Sequence, residues 1–254
     1  MSRRAWYIGS AQEEVGEAAV LVGDRARIDR IAEHLERPEI LRENRGLRTV
    51  SGWRGAVRVT ASAFGMGGPI AAIVLEELFD LGVRRFLRIG TAMVLPPAAL
   101  GDFVVADGAF RADGTSQTYA PPGYPAVADF GLGAALRAEL ARRGLRWRAG
   151  LFGTYDGFYT EMFALSSRTQ ERIEATRTEA RRLRLIAADM ETATILTAAR
   201  ILGARAASVC LGTVDGLTQA KIGAAELAAR ESDLFEIALD ALAAPLPPDD
   251  RTPP

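Results

Sequence analysis

The chain predicts an α/β protein of one domain, a largely buried sheet wrapped by helices, and three observations carry that reading. Apolar, β-branched runs of strand length alternate with stretches of helical period. Glycines stand where those runs stop, at Gly23, Gly65, Gly82 and Gly144. The 254 residues, 48% apolar with a formal net charge of -1, suffice for one large core.

Taken in order, Ala18 to Val22 reads as a strand stopped by Gly23-Asp24, and Ile28 to Leu35 as a helical stretch. Val57 to Ala63 is a strand that runs into the cluster Gly65-Met66-Gly67-Gly68. Pro69 suits the first turn of a helix whose one face carries Ile73, Val74, Leu78 and Leu81 and which Gly82 ends. Strands follow at Phe86 to Ile89 and Phe103 to Ala106, then a polar loop from Asp113 to Asp129. A helix from Leu132 to Arg143 is closed by Gly144, and a strand lies around Leu151 to Thr154. The charge-dense segment Ser166 to Arg184 is an exposed helix. A short strand at Leu185 to Ala188, a helix from Thr192 to Leu202, a strand from Ala207 to Thr213 and an amphipathic helix near Ala224 to Leu242 complete the order. The domain thus spans residues 1–244, and 245–254, with five prolines, is expected to be a disordered tail.

Composition narrows the function classes. No apolar run reaches the roughly 20 residues that span a bilayer, and Glu13 and Glu14, soon after Arg3 and Arg4, interrupt any signal-peptide pattern, so a cytoplasmic protein without membrane contact is expected. Arginines, with Lys221 the one lysine, are balanced by acids along the whole length, which points away from nucleic acid. The single cysteine, Cys210, sits in the apolar run Ala206 to Leu211 and reads as a buried inert thiol. His34, the one histidine, has no ligand cluster beside it; it reads as a packing or surface residue, and no metal is expected.

Three short segments carry the chemistry. Gly65-Met66-Gly67-Gly68-Pro69 joins a strand to a helix and lets backbone approach a ligand, although a tight turn would look the same. Arg88-Ile89-Gly90-Thr91 puts an arginine at a hydrophobic strand's end, where it needs either a buried ion-pair partner or an anion to hold. Asp189-Met190-Glu191 opens a helix, where carboxylates also complement the helix dipole. Together the three segments resemble the nucleoside phosphorylase superfamily of uridine phosphorylase and the hexameric purine nucleoside phosphorylases, from about Val20 to about Thr218.

That resemblance implies a three-layer α/β/α sandwich with a mixed central sheet, and phosphorolysis of an N-glycosidic bond with inorganic phosphate as co-substrate and no cofactor. It implies phosphate binding by Gly23, Arg27, Arg88 and Thr91, with Arg45 supplied by a neighbouring subunit. Arg25, Arg30 and Arg42 read instead as solvated side chains. Met190 and Glu191 would hold the ribose, and Tyr7 stands where uridine phosphorylases carry a histidine that reaches a neighbour's substrate. Residues completing a neighbour's pocket imply at least a dimer, and the family's hexamer of three dimers is the expected assembly.

The base end divides the reading. Arg111, Asp113 to Ser116, Ala120 to Phe130 and Asp156-Gly157-Phe158-Tyr159 are similar to the uridine phosphorylase branch, with Phe158 placed to stack on a base. Yet Met162 and Ala164 occupy the positions of the glutamine and arginine that read uracil there, and Met93 stands in place of a glycine beside Ala92. Arg168 enters only on a shifted alignment. Asp215 falls within one position of the aspartate that protonates the leaving base in purine members, and equally reads as the turn residue of an Asp-Gly pair. A uridine-type phosphorylase with Arg88 and Glu191 in catalytic roles leads. A purine nucleoside phosphorylase or hydrolase using Asp215 as general acid, and a non-catalytic nucleoside-binding homologue, stay open.

Overall fold

The computed structural model describes residues 3–248, and its strands form one ten-stranded mixed sheet. The chain enters through β1 (Ala18–Val22), α1 (Ala26–Ala32), β2 (Glu36–Ile40), β3 (Thr49–Arg54), β4 (Val57–Ala63) and α2 (Gly68–Asp80). It continues through β5 (Arg85–Val94), β6 (Phe103–Ala112), α3 (Gly114–Tyr119), β7 (Ala126–Val127), α4 (Phe130–Arg142) and β8 (Trp147–Tyr155). A π turn (Phe158–Met162) leads to α5 (Gln170–Arg182), β9 (Ala187–Asp189), α6 (Thr192–Ile201), β10 (Arg205–Asp215) and α7 (Ala224–Ala243).

β1 lies parallel between β4 and β5, and β5 lies parallel to β10. All five residues of β1 are buried, which explains its uninterrupted Ala-Ala-Val-Leu-Val run: a strand covered on both faces has no solvent side on which to place polar residues. Helices α1, α4 and α7 cover one face, through Ile28, Ile31, Leu132, Leu136, Leu234 and Leu239. The other face meets α2 and α6 through Val74, Leu75, Leu78, Ile195 and Leu196. The three expected layers are therefore present. In addition the sheet closes on itself at one end, because β10 pairs with both β5 and β6 while β9 pairs with both β5 and β8.

Several elements are longer than their apolar runs. β5, β6 and β8 extend further than expected because the closed end of the sheet pairs their additional residues as well. The strands β2 and β3 were not anticipated; β2 is exposed throughout at the sheet edge and carries no apolar alternation to read. The loop expected from Asp113 to Asp129 contains α3, capped by the Asp113 side chain on Ser116 N–H, and the short β7. Of the expected tail, Leu246 packs on the core and the Pro247 carbonyl accepts from Arg205, whereas 249–254 lie outside the described residues. Among the described residues no helix is long and apolar enough to cross a membrane.

Candidate active site

The ends of β1, β4, β5, β9 and β10 surround a cavity of about 710 Å³. Its wall includes Gly23, Arg27, Arg88 and Thr91, then Met190 and Glu191, then Ala92, Met93, Phe158 and Met162. The phosphate, ribose and base positions implied by the sequence thus share one cavity, apart from Arg45, Tyr7 and Asp215.

Arg88 is the electrostatic centre. Its side chain lies across Gly90, where an added Cβ would sit 3.1 Å from both terminal guanidinium nitrogens. Residues two apart on a strand share a face, so the glycine in Arg-Ile-Gly-Thr is the space into which the guanidinium folds back. The parallel register sets Cys210 beside Gly90, and Arg88 Nη1 lies 2.6 Å from Cys210 Sγ. Nη1 is also 3.1 Å from Asp189 Oδ2, and Nη2 donates to Glu191 Oε2 at 2.5 Å. Burial disfavours the guanidinium's charge, but Asp189, Cys210 and Glu191 outweigh it and hold the pKa above its ordinary value. Cys210 is fully buried and its thiol is pushed up to about 11, mainly by that burial, as an inert thiol should be.

Both carboxylates of Asp-Met-Glu are fixed by more than Arg88. Asp189 accepts from Thr154 Oγ1 at 2.8 Å and from the Thr192 hydroxyl and backbone N–H, which ties the start of α6 to β8. Glu191 Oε1 accepts from Gly67 N–H at 2.7 Å, so the glycine cluster does present backbone to the site. Gly67 has φ +99°, a conformation that favours glycine. Asp189 and Glu191 therefore complement the N-terminus of α6 and line the cavity at once.

Three further arginines are also paired. Arg27, 8% exposed, gives Nε and Nη2 to Glu231 Oε1 at 2.9 and 2.7 Å. Arg30 reaches the other oxygen of Glu231 at 2.5 Å while its side chain keeps 40% exposure, so the solvated residue expected is also an ion-pair partner. Arg25 is exposed, as expected, and it also lines the cavity and holds Glu43 in a bidentate pair, both bonds 2.7 Å. Arg42 is exposed, as expected.

Arg45 and Tyr7 lie outside the cavity wall and against each other, with the guanidinium 5.3 Å from the centre of the Tyr7 ring. Asp215 requires a correction. It does not line the cavity, and its Oδ1 accepts from Leu217 N–H, Thr218 N–H and Thr218 Oγ1 at 2.7 to 2.9 Å. The Thr218 N–H, first among these bonds, holds the carboxyl below its usual range, which is the wrong direction for a general acid. It is a turn residue.

The base end is apolar. Met93, Met162, Tyr155 and Ala188 form a buried cluster against which Phe158, Phe163 and Met190 pack. Phe158 stacks on Phe163 with centroids 5.8 Å apart and meets Tyr159 edge-on. Ala164 and Arg168 are not among the lining residues, and Arg168 is exposed. Arg111 does not line the cavity either; it donates to the carbonyls of Ser116, Ala120, Pro121 and Tyr124 and so shapes the loop after α3. His34 packs edge-on to Phe235, and the described residues contain no cluster of ligands suited to a metal.

The sequence reading missed Asp24, Tyr159, Thr213 and Val214 in the cavity wall, and Glu231 behind it. Glu231 left a signal: a carboxylate on the stripe of Leu227, Leu234, Phe235 and Ala238, where the helical period demands an apolar side chain.

Known proteins are similar to this chain in sequence. The profile of the phosphorylase superfamily matches residues 17–242. A uridine phosphorylase of Klebsiella aerogenes is 34% identical over 246 residues, covering 93% of this chain and 96% of that one. One from Treponema pallidum is 38% identical over 155 residues, 61% of this chain and 60% of that one. A guanosine phosphorylase of Halorubrum lacusprofundi is 35% identical over 204 residues, 80% and 79% of the two chains. With the profile running through β1, Arg88, Glu191 and α7 alike, the chain belongs to the phosphorylase superfamily.

Proposed function

We propose that this protein is a nucleoside phosphorylase of the uridine phosphorylase kind, a pentosyltransferase that cleaves the N-glycosidic bond with inorganic phosphate to give free base and ribose 1-phosphate. One observation supports the reading: Arg27, Arg88 and Thr91 share a cavity with Glu191 and Phe158. Phosphate sits against Gly23, Arg27, Arg88 and Thr91. The ribose lies over Met190, with its vicinal hydroxyls donating to Glu191. As the glycosidic bond stretches, the sugar becomes oxocarbenium-like, and a dianion held beneath C1′ stabilises that charge and then forms the new bond. Phosphate is the only co-substrate this scheme needs.

The base stacks on Phe158 among Ala92, Met93 and Met162, held by shape and apolar contact rather than by side-chain donors at positions 162 and 164. Arg45 and Tyr7, stacked together outside their own cavity, suit the role of completing a neighbour's pocket, and we assign the active form to at least a dimer, with three dimers in a hexamer as the full assembly. The test is incubation with phosphate and a panel of uridine, 2′-deoxyuridine, thymidine, inosine, guanosine and adenosine, read by ribose 1-phosphate formation. Formation from uridine is the expected result. Release of free ribose without phosphate consumption, or no turnover of any nucleoside, overturns the proposal.

A further inference from the structure

A carboxylate from the last helix reaches the proposed phosphate site from behind. The face of α7 that carries Leu234, Phe235 and Ala238 into the core also carries Glu231, which is 6% exposed. Its Oε1 takes one whole edge of the Arg27 guanidinium, Nε at 2.9 Å and Nη2 at 2.7 Å, from a residue 204 positions away. Its Oε2 takes Arg30 Nη1 at 2.5 Å, and the Arg30 guanidinium rests 5.1 Å from the centre of the Phe235 ring. Arg27 lines the cavity; Glu231 and Arg30 do not.

We infer that Glu231 is a positioning residue of the phosphate site: it fixes the guanidinium plane of Arg27 so that Nη1 is the group left to the anion. The inference rests on the functional reading above. An arginine side chain has several freely turning bonds, and a guanidinium gripped along one edge has its other edge set in advance, so phosphate does not have to order it. A carboxylate does this where an amide cannot. Both partners offer only N–H donors, and Glu231 answers each with a separate oxygen, whereas a glutamine turns its NH₂ toward one of them.

The sign of the effect separates positioning from simple charge balance. Deleting a negative charge near a bound dianion favours the dianion, so a Glu231 that only balances charge predicts a lower KM for phosphate in Glu231→Gln. Positioning predicts the reverse: phosphate KM rises about tenfold while the nucleoside KM stays within about twofold. A second readout needs no turnover: the rise in melting temperature that phosphate produces in the parent shrinks in Glu231→Gln. Glu231→Asp keeps the charge but is one methylene shorter, and it shows a smaller rise in phosphate KM. Arg30→Ala leaves Glu231 on Arg27 and keeps the parent phosphate KM. In an Arg27→Gln background, Glu231→Gln adds no further change, because the two act as one unit.

An unchanged or lower phosphate KM in both Glu231 variants overturns the inference, as does an equal rise for phosphate and nucleoside. Should Glu231→Gln fail to fold, Glu231→Asp decides alone by the same criterion. Absence of phosphorolysis in the parent would instead remove the functional reading itself, a distinguishable failure.

Discussion

Replacing Arg88 by methionine, which keeps much of the side chain's volume, isolates what its charge does. In the folded chain Arg88, Asp189 and Glu191 are all nearly fully buried, and the guanidinium stands between the two carboxylates at 3.1 and 2.5 Å. Without it two acidic groups share a dry space with no cation between them. Breaking a buried pair by removing one partner costs about 3 to 5 kcal/mol. In a domain of this size that lowers the melting temperature by roughly 6 to 20 °C. Adding Asp189→Asn and Glu191→Gln removes the repelling charges and recovers a large part of the loss, although phosphorolysis stays abolished. Thermal melts of the parent, the single and the triple variant measure all of this. A single variant that melts within about 2 °C of the parent, or a triple variant no more stable than the single one, would refute the electrostatic account.

Gly90→Ala places a methyl group 3.1 Å from the Arg88 guanidinium, which three buried partners prevent from yielding freely; kcat/KM for phosphorolysis falls more than about tenfold while the melting temperature drops only a few degrees, measured on the same preparation. Asp215→Asn keeps an acceptor for the Thr218 and Leu217 N–H groups, so turnover at neutral pH stays within about twofold of the parent; a tenfold loss would restore Asp215 to the mechanism. Because the Asp215 carboxyl is held below its usual range, the stability it adds is present above the unfolded carboxyl's pKa and disappears as pH falls through the folded value, so the parent and Asp215→Asn converge in acid unfolding. Cys210, with its thiol pushed up to about 11, does not react with a disulfide reagent such as DTNB at pH near 8 in the folded protein and reacts fully in denaturant; rapid native labelling would contradict the burial described.

The sequence revealed most where one residue type answers one physical demand. β1 had to be apolar throughout because both its faces are covered, and Arg88 in a hydrophobic strand needed either a buried partner or an anion, of which the folded chain shows the partners. Both were legible. β2 was not, since its five residues are all exposed and their pairing with β3 is set by backbone alone. Arg25, Arg27, Arg30 and Arg42 look alike in sequence; what separates them is which of them the fold sets against Glu43 or the distant Glu231. Asp215 was ambiguous for a similar reason, because a carboxylate before a glycine serves a turn or a substrate equally well until its lone pairs are accounted for.

The arginines that line the cavity are bound in advance to carboxylates: Arg25 to Glu43, Arg27 to Glu231, and Arg88 to Asp189 and Glu191. Guanidinium groups crowded around one cavity would repel one another and lose hydration, so the folded chain neutralises each with a carboxylate. A phosphate dianion entering this site therefore does not meet free cations. It must compete with, or add to, contacts already made, and only an anion with several oxygens in the right geometry gains enough from every arginine at once. A singly charged ion of one contact gains from one of them alone. Glu191 adds a link between the two substrates, because the oxygen that Arg88 holds belongs to the carboxylate assigned to the ribose hydroxyls. On the proposed function, phosphate drawing on Arg88 weakens its hold on Glu191 and leaves that carboxylate a better acceptor for the sugar. Selection of the nucleophile and grip on the ribose are, on that proposal, parts of one charge network, centred on a guanidinium that lies across the missing side chain of Gly90.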